Sequence, residues 1–257
     1  MSKALTGKIA LVTGASRGIG RAIAEQLGAD GALVAVHYGK NKKAADEVVT
    51  AIKASGGDAF AIAADLAKPG AAHTLFTEFD REVKARTGDV KFDILVNNAG
   101  IAPFVSFAET TEAQLDDIYA VNVKSLFFVT QEASKRLRDG GRVVSTSSGA
   151  VRQPFGPVAA YSMLKAPLDN LTKTLAVEFG GRAITVNVVA PGVIETDMAE
   201  FVRSPDGEAF ALGKQALKRV GQPRDIAGVV RFLAGPDSGW VTGQSIEATG
   251  GAGLTFA

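Results

Sequence analysis

The sequence predicts a doubly wound α/β fold, a parallel sheet with helices on both faces. Short apolar runs rich in β-branched residues alternate with longer stretches of helical spacing over the whole 257 residues. Most of the short runs are apolar at every position rather than at every second one, as strands covered on both faces must be. No repeat, low-complexity tract or Pro/Ser-rich linker divides the chain, so one domain over 1–257 is expected. Strands are predicted at 9–13, 33–37, 59–63, 92–96, 142–146 and 184–189. Helices are predicted at 18–29, 42–55, 71–86, 112–119, 123–137, 160–179 and 225–233. The stretch 195–220 has mixed periodicity and a Ser204-Pro205-Asp206-Gly207 turn signal. An irregular insert of that length reads as a substrate lid.

Composition excludes several functions. At 46% hydrophobic and 21% charged residues, the chain buries a core rather than remaining disordered. A net charge of +1 supplies no field for nucleic acid. The absence of cysteine removes disulfides, thiolate metal sites and a thiol nucleophile. With only His37 and His73, no metal site is expected. No Gly-x-Ser-x-Gly elbow marks a serine hydrolase. The N-terminus lacks a signal-peptide pattern, and no run reaches the roughly 18 apolar residues of a membrane span. A cytoplasmic chain without membrane or nucleic-acid partners is expected.

The first strand runs into Thr13-Gly14-Ala15-Ser16-Arg17-Gly18-Ile19-Gly20, and a helical pattern follows. Gly14 suits a tight turn, Gly18 a close approach to a pyrophosphate, and Gly20 close helix–strand packing. A helix opening there aims free N–H groups at phosphates. A purely structural turn is the plain alternative, but the strand before and the helix after favour a dinucleotide site. An NAD site places an acid about 20 residues on, for the ribose 2′-hydroxyl. Here that position holds His37-Tyr38-Gly39. Arg17, Lys40 and Asn41, around Tyr38, offer donors for a 2′-phosphate, so NADP(H) is expected over NAD(H). Lys42 and Lys43 read as a solvated helix start.

Tyr161 and Lys165 are four residues apart on one predicted helix face. A lysine ammonium about 6 Å from the phenol would favour tyrosinate by roughly 3 kcal/mol, moving its pKa to about 8. Ser148, at the carboxyl end of a strand, is placed to donate to a substrate oxygen.

Thr13-Gly14-x-x-x-Gly18-x-Gly20, Asn97-Asn98-Ala99-Gly100, Ser148, Tyr161-x-x-x-Lys165 and Pro191-Gly192 occur in order. Together they resemble the short-chain dehydrogenase/reductase family, short single-domain subtype, over essentially the whole chain. The resemblance implies a seven-stranded Rossmann sheet and hydride transfer between a nicotinamide and a carbonyl or alcohol. Members similar to this chain include 3-oxoacyl-acyl-carrier-protein reductases and sugar or steroid alcohol dehydrogenases. By the same resemblance, Ser148, Tyr161, Lys165 and Asn122 are catalytic, Asn122 supporting a proton-relay water. Asn122 also reads as a cap for the helix opening near Val123. The 13-residue separation from Tyr161 selects Ser148 over Ser147. Asp65, with Leu66 beside it, matches the adenine contact, though it also reads as a turn residue. Asn98, Ala99 and Gly100 match the adenosine-ribose stretch, and Pro191, Gly192, Val193, Ile194 and Thr196 the nicotinamide segment. Lys165 matches a contact to the nicotinamide ribose.

Two departures stand out. Thr249 occupies a position where the family often has Asp, and Pro167 falls inside the catalytic helix, where it cannot donate to Met163. The pocket candidates Phe104, Val151, Gln153, Pro154, Phe155, Phe201 and Val202 lean toward an apolar or aromatic substrate. Leu126, Phe127, Leu168, Leu171 and Leu175 offer surplus apolar surface on the two long helices, so a homotetramer or homodimer is expected. A non-catalytic nucleotide-binding regulator on the same fold is the alternative function.

Overall fold

The strands observed are β1 (Ile9–Val12), β2 (Leu33–Tyr38), β3 (Asp58–Ala63), β4 (Phe92–Asn97), β5 (Leu137–Thr146), β6 (Thr185–Pro191) and β7 (Ser245–Ala248). This computed structural model describes residues 3–153 and 155–254, so the pocket candidate Pro154 lies outside the described residues. All strand pairings are parallel, in the order β3-β2-β1-β4-β5-β6-β7. The strand order reverses at β1, which pairs with both β2 and β4. That switch point opens a crevice at the carboxyl ends of the strands, where ligands of such sheets bind.

The helices are α1 (Gly18–Ala29), α2 (Lys42–Ala54), α3 (Ala71–Thr87), α4 (Glu112–Tyr119), α5 (Ser125–Ser134), α6 (Ala159–Lys165), α7 (Pro167–Phe179), α8 (Pro205–Gly213) and α9 (Pro223–Ala234). The two-residue period of β1 divides the core. Ala10 and Val12 join Ile23, Leu27, Val48 and Ile226 under α1, α2 and α9. Ile9 and Leu11 join Phe76, Phe79, Val129 and Phe179 under α3, α5 and α7. Phe79 and Phe92 meet edge-to-face at 5.0 Å.

The differences from the sequence reading have local causes. The predicted helix 123–137 ends early, because Leu137 is fully buried and opens β5 opposite Phe92. The stretch 195–220 contains a regular helix. Ser204-Pro205-Asp206-Gly207 is its start, with Ser204 Oγ accepting the Gly207 N–H at 3.2 Å. At Pro167 the hydrogen-bond ladder is interrupted, yet Ala166 keeps helical angles (φ −58°, ψ −38°), dividing α6 from α7 without a change of backbone class. Leu126 and Leu168 are buried with Val188, and Leu171 and Leu175 pack on the core, so these leucines are not surplus surface. Phe127, on α5, is 46% exposed.

Candidate active site

The crevice begins at the glycine-rich turn. Gly14 has φ +62°, and a Cβ there would lie 2.8 Å from the Ala99 Cα. A Cβ on Gly20 would meet the Gly14 carbonyl oxygen at 2.2 Å, so α1 packs against the turn only because this residue has no side chain. Arg17 precedes α1 without a side-chain cap, and the first turn carries no acid. The N–H groups of Gly18, Ile19 and Gly20 therefore remain for an anion. Ser16 and Ile19 are half-buried beside them. These features fit the diphosphate of a dinucleotide.

Around the end of β2, Tyr38 is half-buried, and Lys40 and Asn41 are exposed. Asn41 Oδ1 accepts the Ala44 N–H at 3.0 Å, capping α2 and leaving its amide as a donor. Arg17 extends from the turn to Asp197, at 3.4 Å, and Asp197 also meets Arg203 at 3.4 Å. Asp65 Oδ1 accepts the Ala67 N–H at 3.2 Å, so the turn role is real, and only part of the carboxylate is engaged. Leu66 is buried behind it. Asn98 donates to the carbonyls of Thr13 and Gly14, both at 3.1 Å, locking the β4 loop with Ala99 and Gly100 to the turn.

On the far side, Pro191 ends β6, and Gly192 donates to the Ala248 carbonyl at 3.0 Å. Val193 accepts from Gly221. Ile194 is a core residue, its side chain packed beside Gly221. The Thr196 methyl lies 3.3 Å from where a Gly18 Cβ would stand, bringing the stretch after β6 over the turn. Thr249 packs its methyl toward Gly149 and its backbone against Gly192, so apolar packing serves where a carboxylate was expected.

Ser148, Tyr161 and Lys165 converge beyond the carboxyl end of β5. Ser148 Oγ accepts the Ala150 N–H at 3.2 Å, and its hydroxyl lies near enough to the Tyr161 phenol to favour the phenolate. Ser162 Oγ donates to the Ala150 carbonyl at 2.7 Å, tying the Ser148 loop to α6. Ser147 turns away, toward the Lys165 carbonyl. Lys165 is 3% exposed, its ammonium 5.9 Å from the Tyr161 ring centroid and 2.7 Å from the Thr146 carbonyl.

Burial reverses the expected phenol shift. It pushes the Tyr161 pKa up, only partly offset by the Ser148 hydroxyl, and lowers Lys165 from 10.5 to about 8. The cost of removing a phenolate from water outweighs its attraction to the ammonium.

Asn122 lies in a π-helical turn, Ala120–Lys124, between α4 and α5. Its Oδ1 accepts the Ile101 N–H and its Nδ2 donates to the Ile101 carbonyl, both at 2.9 Å. The side chain thus pins the β4 loop through both hydrogen-bonding groups of Ile101. Gly100 is in contact range of both Asn122 and Lys165: a Cβ there would lie 3.3 Å from Asn122 Oδ1 and 3.4 Å from Lys165 Nζ.

The sequence reading missed His37. Its buried ring bonds the Gly14 N–H and the Ala64 carbonyl, partners that no motif names.

A family model described as enoyl-(acyl carrier protein) reductase matches residues 14–253. The chain belongs to the short-chain dehydrogenase/reductase family. As a member it is an oxidoreductase of carbonyl and alcohol groups. Versicolorin reductase 1 of Aspergillus parasiticus is 42% identical, over 96% of this chain and 97% of that protein. Tetrahydroxynaphthalene reductase of Pyricularia oryzae is 39% identical, over 98% and 91%. The crystal structure of angucycline C-6 ketoreductase LanV with bound NADP superposes with a TM-score of 0.95 at 44% identity, over 99% of both chains. The seven-stranded parallel sheet is thus the Rossmann arrangement of this family.

Proposed function

We propose that this protein is an NADP(H)-dependent ketoreductase of flat aromatic or polycyclic ketones, with Tyr161 as general acid. The observation that carries the reading is the convergence of Ser148, Tyr161 and Lys165 beside a glycine turn whose N–H groups are free. The names of versicolorin reductase, tetrahydroxynaphthalene reductase and LanV support the substrate class. So does a chain of edge-to-face contacts. Phe104 meets Phe201 at 5.9 Å, Phe201 meets Phe210 at 6.4 Å, and Phe210 meets Phe155 at 6.4 Å. These rings come from the segments after β4, β5 and β6, at the crevice end of the sheet. Such a surface favours planar π-systems.

Gly18, Ile19 and Gly20 would hold the diphosphate, and Arg17, Lys40 and Asn41, beside Tyr38, the 2′-phosphate. Asp65 and Leu66 would border the adenine, Asn98, Ala99 and Gly100 the adenosine ribose, and Pro191 through Ile194 with Thr196 the nicotinamide. Bound NADPH supplies the hydride. Ser148 donates to the ketone oxygen and orients it. Tyr161, a protonated phenol at neutral pH whose pKa burial raises further, gives its proton to that oxygen as negative charge develops. The tyrosinate left behind is steadied by the Lys165 ammonium. In alcohol oxidation the roles reverse, and tyrosinate accepts the proton.

The rest of the reading is coarser. The chain works as one domain, with 195–220 as the lid. It assembles as a homotetramer or homodimer in the cytoplasm. No described helix is long and apolar enough to cross a membrane.

The test is NADPH oxidation across aryl-fused polycyclic ketones and aliphatic 3-oxoesters. Higher kcat/KM is expected for the polycyclic ketones, and at least a tenfold preference for NADPH over NADH, since one charge-assisted contact is worth about 1.5–3 kcal/mol. Tyr161→Phe should lower kcat at least about 100-fold while the cofactor still binds. Near-normal turnover in that variant, or no ketone reduced by the wild type, overturns the reading.

A further inference from the structure

His37 is 2% exposed at the carboxyl end of β2, between two loops of the nucleotide crevice. Its ring reaches both. Nδ1 accepts the Gly14 N–H at 3.0 Å, and Nε2 lies 2.9 Å from the Ala64 carbonyl oxygen. A backbone N–H only donates and a carbonyl only accepts, so the two partners fix the neutral tautomer with its proton on Nε2. Burial lowers the ring's pKa to about 4, which keeps that tautomer through neutral pH. The backbone repeats the same links: Ala15 donates to the His37 carbonyl at 2.8 Å, and Ala64 donates to the Tyr38 carbonyl at 3.1 Å.

Gly14 opens the phosphate turn, and Ala64 immediately precedes Asp65. One imidazole therefore joins the loop proposed for the diphosphate to the loop proposed for the adenine. The Thr13–Gly14 peptide, which carries this N–H, is also held from its other side, where Asn98 donates to the Thr13 carbonyl at 3.1 Å. With the N–H held by His37 and the carbonyl by Asn98, this peptide plane cannot rotate. Its orientation sets where the chain next delivers the N–H groups of Gly18, Ile19 and Gly20.

We propose that His37 is a positioning residue for the dinucleotide, holding the phosphate turn and the adenine-side loop at the separation that bound NADP(H) spans. The inference rests on the NADP(H) reading above and is independent of the ketone. Without the ring acceptor, the Gly14 N–H loses its partner. The free protein relaxes by turning that peptide toward water. The cofactor-bound protein cannot, because its phosphate turn must return to the shape seen here. The penalty then falls on binding.

Three substitutions separate the two contacts. His37→Asn keeps an acceptor on Cγ, where Nδ1 is attached. His37→Gln reaches the Nε2 position with an amide donor but has no acceptor on Cγ. His37→Leu has neither. Each protein is titrated with NADPH without substrate, following cofactor fluorescence, and its thermal midpoint, NADPH KM and kcat are measured. His37→Leu should raise the NADPH Kd roughly 5- to 100-fold, the range set by an unpaired buried group. His37→Asn should stay within about threefold of wild type, and His37→Gln should fall between, with NADPH KM moving more than kcat. If the wild type does not bind NADPH, the cofactor reading fails first. If the wild type binds and the variants lower only the thermal midpoint, His37 is a core residue and the proposal is overturned. If His37→Leu does not fold, the Asn and Gln variants decide: equal Kd values overturn the proposal, and the tighter Kd for Asn upholds it.

Discussion

At the residue scale, the proposed chemistry turns on a buried cation beside a half-buried phenol. Lys165 has a folded pKa of about 8 against 10.5 when unfolded, because burial disfavours the ammonium. The unfolded chain thus binds more protons between these values, and stability at this site rises with pH across that window. Below about pH 8 the cost is fully present; by pH 10.5 it has vanished. Lys165→Met should therefore raise the unfolding free energy measured by urea denaturation at pH 7, by up to about 3 kcal/mol less the lost bond to Thr146, and this gain should shrink at pH 9.5. No gain at pH 7 would mean that the ammonium is well solvated. On the proposed mechanism the same titration governs turnover. Ketone reduction in the wild type should decline as pH rises through about 8, because neutral Lys165 no longer steadies the tyrosinate. Ser148, Tyr161 and Lys165 were legible in the sequence because their spacing and the strand end fix their proximity. The sign of the phenol shift was not, because desolvation depends on how completely α6 and the β4 loop enclose the pair. His37 escaped notice for a related reason: both its partners are backbone atoms on loops brought together only by β1, β2 and β3.

At the element scale, legibility followed how locally an element is determined. The observed bounds of α1 and α4 coincide with the reading, since each opens at a local signal, the glycine turn or the Thr111 capping box. The start of β5 was hidden, because Arg138-Asp139-Gly140-Gly141 looks like a loop and Leu137 completes a helical pattern. Only its pairing with Phe92 makes it strand. β7 is a short edge strand of partly exposed residues, too weakly patterned to detect by periodicity. The stretch 195–220 combined both effects. Its helix α8 has a clear cap at Ser204, but its partners are aromatic rings from other loops. Phe201 is the link, touching both Phe104 and Phe210. Aromatic pairs contribute about 0.5–1.5 kcal/mol each beyond burial. Phe201→Ala should therefore raise KM for a polycyclic ketone roughly tenfold while NADPH KM stays near wild type. Equal changes in both constants would show that the residue supports the crevice as a whole.

At the scale of the whole molecule, uncovered apolar side chains are spread over several places, Phe107 and Val177 among them, and two regions away from the crevice carry large aromatics. On α5, Phe127 and Phe128 are 46% and 44% exposed and stand edge-to-face at 5.5 Å. Near the β7 edge, Trp240 is fully exposed and Phe232, on α9, is 43% exposed. Large exposed aromatics in pairs mark interfaces more often than isolated apolar residues do. A closed tetramer with two-fold axes needs two different self-complementary patches, whereas a dimer needs one. Two regions therefore favour the tetramer. The surplus lies on different residues from the leucines read in the sequence, because those leucines cover the sheet. Sedimentation of the wild type at micromolar concentration should give a mass near four times 26.6 kDa. Phe127→Glu with Phe128→Glu should leave dimers joined through the Trp240 region, and Trp240→Glu should leave dimers joined through α5. Combining all three should give monomers of 26.6 kDa. A tetramer that survives both sets of substitutions would place its contacts elsewhere, and a monomeric wild type would remove the argument from exposed aromatics altogether.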